Sequence, residues 1–215
     1  MKKVFIFGAS VTYGVGATAL GWSDQLKQAV NGLMYEPGGI GEVAEVYNLG
    51  IPGETTKQVA ARMEQEIIPR SKSQDQLMII LSVGLNDAKA QDRPDNFINT
   101  PEGYAADMGA ALAAGADITP RVIGIGYPPT DEAKVNPKQN PWGTSYFRND
   151  RIKQFESIFG KACAEKKLQF IPVFEKAQAV GWLENTAVDG LHPNQAGHDW
   201  LFELVWPAVK DFVTS

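Results

Sequence analysis

A serine near the N-terminus has the surroundings expected of a nucleophile. Ser10 lies in the segment GASVTYG at residues 8–14, directly after the apolar run at residues 4–7. If that run is a strand of a parallel sheet, the serine occupies the strand-to-helix turn at the carboxyl edge, where such sheets bind ligands. A serine hydroxyl is a weak nucleophile, so attack on a carbonyl requires a general base and hydrogen-bond donors for the oxyanion. The rest of the chain has to supply both.

Two histidines, His192 and His198, are the candidates for the base. Asp189 precedes His192 by three residues in the segment DGLHP. On a tight turn this spacing can bring the carboxylate to the imidazole Nδ1–H, which leaves Nε2 free to face a serine. His198 has Gln195 at the same offset, and we expect it on a helix surface or in support of the site. We therefore predict that His192 and Asp189 act with Ser10; for the pair alone, a turn with an incidental histidine is the alternative.

Donors for an oxyanion are expected after the next two predicted strands. The segment NLG at residues 48–50 follows the second strand, and GLND at residues 84–87 follows the third. The Gly50 N–H, the Asn86 side-chain amide and the Ser10 N–H could converge at one sheet edge, where a single donor stabilises a transition state by about 3 kcal/mol. Each segment alone is also typical of a chain leaving a strand, because glycine and asparagine are common turn residues.

The apolar pattern predicts the elements that would hold these residues. Short apolar runs alternate with segments of helical period, including helices predicted over residues 146–167 and 195–212. Continuous apolar runs are typical of buried parallel strands, whose right-handed crossovers place helices on both faces. We therefore predict an α/β fold, a three-layer α/β/α sandwich with a five-stranded parallel, flavodoxin-like sheet. The predicted strands cover residues 4–7, 43–49, 77–83, 121–125 and 168–173.

Two long segments between the predicted elements, residues 87–101 and 127–144, are rich in Pro, Asn and Asp. Both follow predicted strands, so they either form the walls of a substrate cleft or are plain connections. Aromatic side chains could line such a cleft, although aromatic residues are more often part of a core. The candidates are Tyr13, Trp22, Tyr127, Trp142 and Phe147.

Composition limits the partners and the location of the protein. The chain has 215 residues, of which 44% are hydrophobic, and a net charge of −5 without any Lys/Arg cluster beyond a doublet. This favours a single domain over residues 1–215 and disfavours nucleic acid as a partner. The N-terminus imitates a signal peptide, but its apolar run is short and no window approaches a membrane span of about 20 apolar residues. We expect a cytoplasmic protein without stable membrane insertion; nothing in the sequence indicates its oligomeric state.

Cysteine and histidine usage argues against a disulfide or a metal site. Cys163 is the single cysteine, so an internal disulfide is impossible, and no Cys/His spacing resembles a zinc site. Cys163 shares a predicted helix face with Phe155 and Phe159, which favours a buried small hydrophobic residue over a reactive thiol. We expect neither a metal nor a cofactor.

Together, the four segments resemble the conserved blocks of the SGNH, or GDSL-type, hydrolase family. The resemblance spans residues 8–192 and rests on GASVTYG, NLGIPGET, VGLNDA and DGLHPN, in that order. It implies a flavodoxin-like α/β/α fold and an esterase or lipase that needs no metal. The site residues it implies are the triad Ser10, His192 and Asp189 and the oxyanion-hole residues Ser10, Gly50 and Asn86.

The nucleophile segment departs from the family pattern at one position. The family's usual Gly-Asp-Ser is Gly8-Ala9-Ser10 here, so a carboxylate beside the nucleophile is lost. That aspartate is not the triad acid. We therefore expect the change to alter hydrogen bonding around the nucleophile more than the reaction.

The sequence thus predicts a serine esterase or lipase that cleaves a small-molecule acyl ester through an acyl-enzyme. An acyltransferase or thioesterase using the same site is an alternative, because the acyl group can pass to an acceptor other than water. A second alternative is a catalytically impaired carbohydrate- or protein-binding module, which Ala9 would explain. A dinucleotide site is disfavoured because Gly8, Gly14 and Gly16 have the wrong spacing.

Overall fold

The strands of the protein form two separate sheets. A computed structural model describes residues 1–35, 37–38, 43–186 and 189–215. Its strands are β1 (Lys2–Gly8), β2 (Ala44–Gly50), β3 (Gln76–Ser82), β4 (Ala90–Gln91), β5 (Val122–Ile125), β6 (Lys138–Asn140), β7 (Gly143–Tyr146) and β8 (Gln169–Ile171). The main sheet has the order β2-β1-β3-β5-β8 and is parallel throughout. The predicted five-stranded parallel sheet is therefore confirmed.

Helices cover both faces of the main sheet. They are α1 (Ser10–Tyr13), α2 (Trp22–Tyr35), α3 (Thr56–Ile67), α4 (Leu85–Ala88), α5 (Pro101–Ile118), α6 (Glu132–Val135), α7 (Asn149–Glu165), α8 (Phe174–Ala179) and α9 (Gln195–Thr214), with 3₁₀ turns at Ile68–Arg70 and Trp182–Asn185. Helices α3, α5 and α7 pack on one face, and α2 and α9 pack on the other. This is the predicted three-layer sandwich. Every helix in the described ranges is too short or too polar to cross a membrane.

Strand β1 shows why the central strands are continuously apolar. Successive side chains of a strand point to opposite faces of the sheet. Phe5 and Phe7 pack toward α3, α5 and α7, whereas Val4 and Ile6 pack toward α2 and α9. Both faces are covered, so no position in the middle of the strand can be polar without losing buried apolar contacts. Cys163 lies in the first of these two cores and is fully buried, as its pattern predicted.

Strands β1, β2 and β3 end at the same level, so the three loops that follow them lie side by side. Gly8, the last residue of β1, pairs with Gly50 of β2 and Ser82 of β3. The chain leaves all three strands at the same level and therefore at the same edge. The residues that follow these strands include Ser10 and Asn86, which explains how distant segments reach one site.

The small antiparallel sheet, with the order β4-β7-β6, was not predicted. It joins the two segments expected to be irregular, because β4 pairs with β7 and β6 pairs with β7. These strands are only two to four residues long and mostly polar, so they lack the apolar alternation that marks a strand in sequence. Arg151 of α7 anchors this sheet to the core: its guanidinium donates to the carbonyls of Ala88 and Asn99 and lies 3.7 Å from the centroid of the Phe97 ring.

Candidate active site

Ser10, His192 and Asp189 form a continuous chain of hydrogen bonds. His192 Nε2 lies 2.9 Å from Ser10 Oγ, and His192 Nδ1 lies 2.5 Å from Asp189 Oδ2. Ser10 is the first residue of α1, directly after β1. The structure thus brings together the three residues that the sequence predicted as nucleophile, base and orienting acid.

The loop that carries Ser10 is fixed by close backbone packing. A Cβ on Gly8 would lie 2.0 Å from Thr12 Oγ1 and 2.6 Å from the Ser82 carbonyl oxygen, so only glycine fits between the loop and β3. The buried Ser23 hydroxyl donates to the Thr12 carbonyl at 2.5 Å. These contacts hold the short helix that carries Ser10 against α2 and the sheet edge.

The turn that carries His192 is held by Asp189. Asp189 Oδ1 accepts hydrogen bonds from the N–H groups of Leu191 at 2.9 Å and His192 at 3.0 Å. Burial alone would raise the pKa of Asp189, but the hydrogen bonds from the His192 side chain and from the two backbone N–H groups hold it well below its ordinary value. Asp189 is therefore ionised and fixed. Its Oδ2 also lies 3.3 Å from Lys138 Nζ.

His198, the second histidine, supports the fold away from the reacting groups. It is fully buried: its Nδ1 accepts from the Trp22 N–H at 3.3 Å, and its Nε2 donates to the Val15 carbonyl at 3.1 Å. Burial lowers its pKa. The expectation that His198 lies on a helix surface is therefore wrong. His198 instead supports the fold, because its hydrogen bond to Trp22 joins α9 to the start of α2.

Asn86 reaches the site, whereas Gly50 does not. Asn86 lines the same cleft as Ser10 and His192, and its Nδ2 donates to the Glu54 carbonyl at 2.9 Å. The Gly50 N–H instead donates to Asn48 Oδ1 at 3.1 Å, and a Cβ on Gly50 would lie 2.4 Å from the backbone nitrogen of Tyr13. Gly50 packs against α1 and is not among the described residues that line the cleft, so its N–H is not placed as an oxyanion donor.

Gly53 is the residue that the sequence reasoning missed. It lines the cleft with Ser10 and Asn86 and has a φ of 89°, a left-handed conformation that favours glycine. Across the part of the chain that the structure describes, its N–H has no hydrogen-bond partner. The sequence signal was the second glycine of NLGIPGET, which follows a proline in a turn rather than ending the strand.

A buried aspartate positions the loop that carries Asn86. Asp87 Oδ2 accepts from the Thr56 N–H at 2.9 Å and the Thr56 hydroxyl at 3.1 Å, and Asp87 Oδ1 accepts from Asn99 Nδ2 at 3.3 Å. Its burial raises its pKa. Asp87 thereby joins α4 to the first residue of α3 and fixes the residue beside it.

A buried glutamate does the same for the loops after β5 and β8. The Glu156 carboxylate accepts hydrogen bonds from the N–H groups of Tyr127 at 2.7 Å, Val173 at 3.2 Å and Phe174 at 3.0 Å. Burial raises the pKa of Glu156. A single side chain of α7 therefore holds in place the loops that follow two neighbouring strands, β5 and β8.

Ser10 and His192 open into a cleft of about 600 Å³. Its floor carries Ser10, Asn86 and His192, and its wall carries Lys89, Gln91, Lys138, Trp142 and Phe147. The wall residues belong to the small sheet and the segments beside it, so the two irregular segments do form a cleft wall. Within the described ranges, no cluster of His, Cys, Asp and Glu side chains could hold a metal ion.

The aromatic candidates divide between this cleft and a smaller cavity. Trp142 and Phe147 line the cleft. Trp22 and Tyr127 line an enclosed space of about 30 Å³ behind Ser10, which Ala9 also borders. Tyr13 is exposed. The indole N–H of Trp22 is buried and has no hydrogen-bond partner among the described residues.

Comparison with known proteins identifies relatives along nearly the whole chain. The sequence model of the GDSL-like lipase/acylhydrolase family matches residues 6–200. Esterase TesA of Pseudomonas aeruginosa is 24% identical over 211 residues, which cover 97% of this chain and 88% of that protein. Because the match to the family extends over most of the sequence, the family is established independently of the site geometry.

Solved structures share the fold. A lipase/acylhydrolase from Enterococcus faecalis superimposes with a TM-score of 0.74 at 23% identity, covering 99% of this chain and 96% of that one. The acetylxylan esterase Axe2 from Geobacillus stearothermophilus gives a TM-score of 0.69 at 18% identity, covering 96% and 93%. The chain therefore belongs to the GDSL-like lipase/acylhydrolase family, and it is an ester-bond hydrolase.

Proposed function

We propose that the protein hydrolyses a small acyl ester through a covalent acyl-enzyme on Ser10. The observation that carries this proposal is the chain of hydrogen bonds from Ser10 Oγ through His192 to Asp189 at the floor of an open cleft. A serine at such a site is activated by the histidine that accepts its proton. The ionised Asp189 fixes the histidine tautomer with its proton on Nδ1 and stabilises the imidazolium that forms.

In the first half of the reaction, His192 Nε2 takes the proton of Ser10 as Oγ attacks the acyl carbonyl. The tetrahedral intermediate collapses, the bond to the alcohol breaks, and the alcohol leaves with the proton from His192. In the second half, His192 takes a proton from water, which attacks the acyl carbon and releases the carboxylic acid and free Ser10. Each half-reaction returns the histidine to its neutral form.

The oxyanion of both intermediates needs donors in place before the reaction. Asn86 Nδ2 has a second N–H beyond the one given to Glu54, and the Ser10 N–H is at the first turn of α1, where backbone donors are unsatisfied. We assign the third donor to Gly53 in place of Gly50, since Gly53 faces the cleft with an unused N–H. Donors that are already oriented do not have to reorganise when charge develops.

A fluorophosphonate adduct tests the donor assignment. The phosphonyl group on Ser10 mimics the tetrahedral intermediate, and its oxygen should lie about 2.7 to 3.1 Å from Asn86 Nδ2 and the Gly53 nitrogen in a crystal structure. An oxygen placed against the Gly50 nitrogen would show that our reassignment is wrong.

Hydrolysis of p-nitrophenyl esters from acetate to palmitate tests the function. The Ser10→Ala variant should lose activity by about 10⁶-fold, because the nucleophile is absent. Ser73→Ala, a change of an exposed serine far from the cleft, is the matched control and should keep wild-type rates. Fluorophosphonate should label wild type and Ser73→Ala but leave Ser10→Ala unlabelled. A Ser10→Ala variant that is folded and retains ester hydrolysis would refute the proposal.

A further inference from the structure

Lys89 is a cation in the cleft wall without an anionic partner. It follows α4 directly and stands three residues after Asn86. Its side chain is partly buried and lines the cleft, and burial lowers its pKa. Over the described residues, no carboxylate lies within 4.0 Å of its ammonium group and no acceptor receives a hydrogen bond from it. Withdrawing a charge from water without pairing it costs free energy.

Two other lysines that are withdrawn from solvent, Lys3 and Lys138, are ion-paired. Lys3 Nζ lies 3.0 Å from Glu45 Oε2 and 3.3 Å from Asp75 Oδ2. Lys138, the second lysine of the cleft, is paired with Asp189. Lys89, the lysine nearest in sequence to Asn86, differs from both because no described carboxylate pairs with it.

The rest of the wall does not offer Lys89 a counter-charge. Asp92 also lines the cleft, but its Oδ1 accepts from Gln91 Nε2 at 3.1 Å and from the Thr144 N–H at 3.3 Å. Asp92 thus joins β4 to β7. A molecule that enters the cleft could therefore supply an anion to Lys89.

We propose that the ester substrate carries a carboxylate or phosphate that binds Lys89 Nζ. The inference rests on the proposed function, because it places the anion and the scissile ester in one molecule. Lys89 and Ser10 line the same cleft, so one small molecule can contact both. The substrate class is an anion-bearing polar ester, and this distinguishes the site from one built for a long uncharged acyl chain.

Matched pairs of esters test this inference and locate the anion. Monomethyl adipate against methyl hexanoate places a carboxylate on the acyl side, and 4-acetoxybenzoate against its methyl ester places it on the alcohol side. In wild type, the anionic member of one pair should have the higher kcat/KM. Lys89→Met should reduce kcat/KM of that anionic ester by about 10- to 100-fold, the loss expected for one charge-assisted hydrogen bond, and change the neutral ester by less than 2-fold.

Two further variants make the experiment decisive. Lys89→Arg keeps the charge and should retain most of the preference, while Lys27→Met removes a charge from the exposed face of α2 and should change nothing. Equal losses for anionic and neutral esters in Lys89→Met, or no loss for either, would overturn the inference. Neutral-ester turnover and fluorophosphonate labelling of Ser10 report the proposed function separately, so failure of one is distinguishable from failure of the other.

A different observation concerns Lys138, which reaches the triad from the wall. Its Nζ lies 3.3 Å from Asp189 Oδ2, the oxygen that also contacts His192, and donates to the Asp189 carbonyl at 3.1 Å. One lysine therefore holds both the side chain and the backbone of the triad acid. Lys138 belongs to β6 of the small sheet. These contacts therefore link Asp189 to a part of the molecule outside the main sheet.

We infer that Lys138 is a positioning residue that holds Asp189 beside His192. Its ammonium group contacts both the side chain and the backbone of Asp189, so the carboxylate keeps the position from which it orients the histidine. This inference also rests on the proposed function.

The separate effects on kcat and KM with a neutral ester test the role of Lys138. In Lys138→Met, kcat should fall by about 10-fold with KM unchanged, because a less firmly held Asp189 orients His192 less well. Lys138→Arg keeps the charge and the donor and should restore most of the rate. A change in KM alone, or an equal loss of kcat in the arginine variant, would overturn the inference.

Discussion

The floor and the wall of the cleft are built in different ways. The floor lies at the ends of the long central strands and is fixed by buried carboxylates such as Asp87 and Glu156, each bound to backbone N–H groups. The wall is a sheet of two- to four-residue strands with an exposed hairpin. We therefore propose that the reaction depends on the rigid frame, whereas the choice of substrate depends on the appended wall.

The largest effect should come from the floor, at the orienting acid. In Asp189→Asn, the amide can keep the backbone hydrogen bonds but would donate to His192 Nδ1, which forces the proton onto Nε2 and prevents it from accepting the serine proton. We expect kcat to fall by about 10⁴-fold. Steady-state rates with p-nitrophenyl acetate measure this loss. Asp131→Asn, close to the same turn, should stay near wild type; a fall of tenfold or less in Asp189→Asn would contradict the triad.

Loss of an oxyanion donor should rank next. We expect Asn86→Ala to lower kcat by about 10²- to 10³-fold with little change in KM, because the donor acts mainly in the transition state. The wall provides the matched control: Asn96 donates to the Gln91 carbonyl at 2.9 Å, and Asn96→Ala should leave kcat within about 3-fold. Similar kcat values in the two variants would show that Asn86 in the floor contributes no more to catalysis than Asn96 in the wall.

Removing a buried charge from the frame should affect stability more than any change in the wall. Glu156→Gln replaces one accepting oxygen by an NH₂ group that faces a backbone donor, so we expect a loss of about 2 to 4 kcal/mol in the free energy of unfolding. Urea denaturation followed by tryptophan fluorescence measures it. Glu165→Gln, on the exposed end of the same helix, should change stability by less than about 0.5 kcal/mol. Equal stabilities would show that Glu156 does not hold the two loops.

The smallest effect should come from the rim of the wall. Trp142 is 86% exposed, so its ring contributes little to the core and is free to contact a ring of the substrate. Trp142→Ala should raise KM for p-nitrophenyl acetate by about 3- to 10-fold with kcat and Tm unchanged. A large fall in kcat would mean that the wall takes part in the chemical step.

The sequence predicted the frame well because its signals are local. Apolar runs marked the five central strands, and the spacing of Asp189 and His192 on one turn was sufficient to pair them. Our reassignment of the oxyanion donor from Gly50 to Gly53 has a specific cause: two glycines stand three residues apart in NLGIPGET, and the structure places Gly53 along the cleft while the Gly50 N–H donates to Asn48.

The wall could not be predicted because its pairing is long-range. Strand β4 meets β7 across more than fifty residues of chain, and neither has an apolar pattern. The contact between Lys138 and Asp189 depends on this pairing and leaves no trace in local spacing. Residues placed by such contacts can be identified only from the structure.

Cys163 can report how often the hydrophobic core opens. Burial raises the pKa of this single thiol to about 12, and its side chain lies in the core between α7 and the sheet. An alkylating reagent at pH 8 can modify it only after the core has opened, since the thiolate is the reactive form. The rate of modification therefore records how often this layer separates from the sheet, without any engineered label.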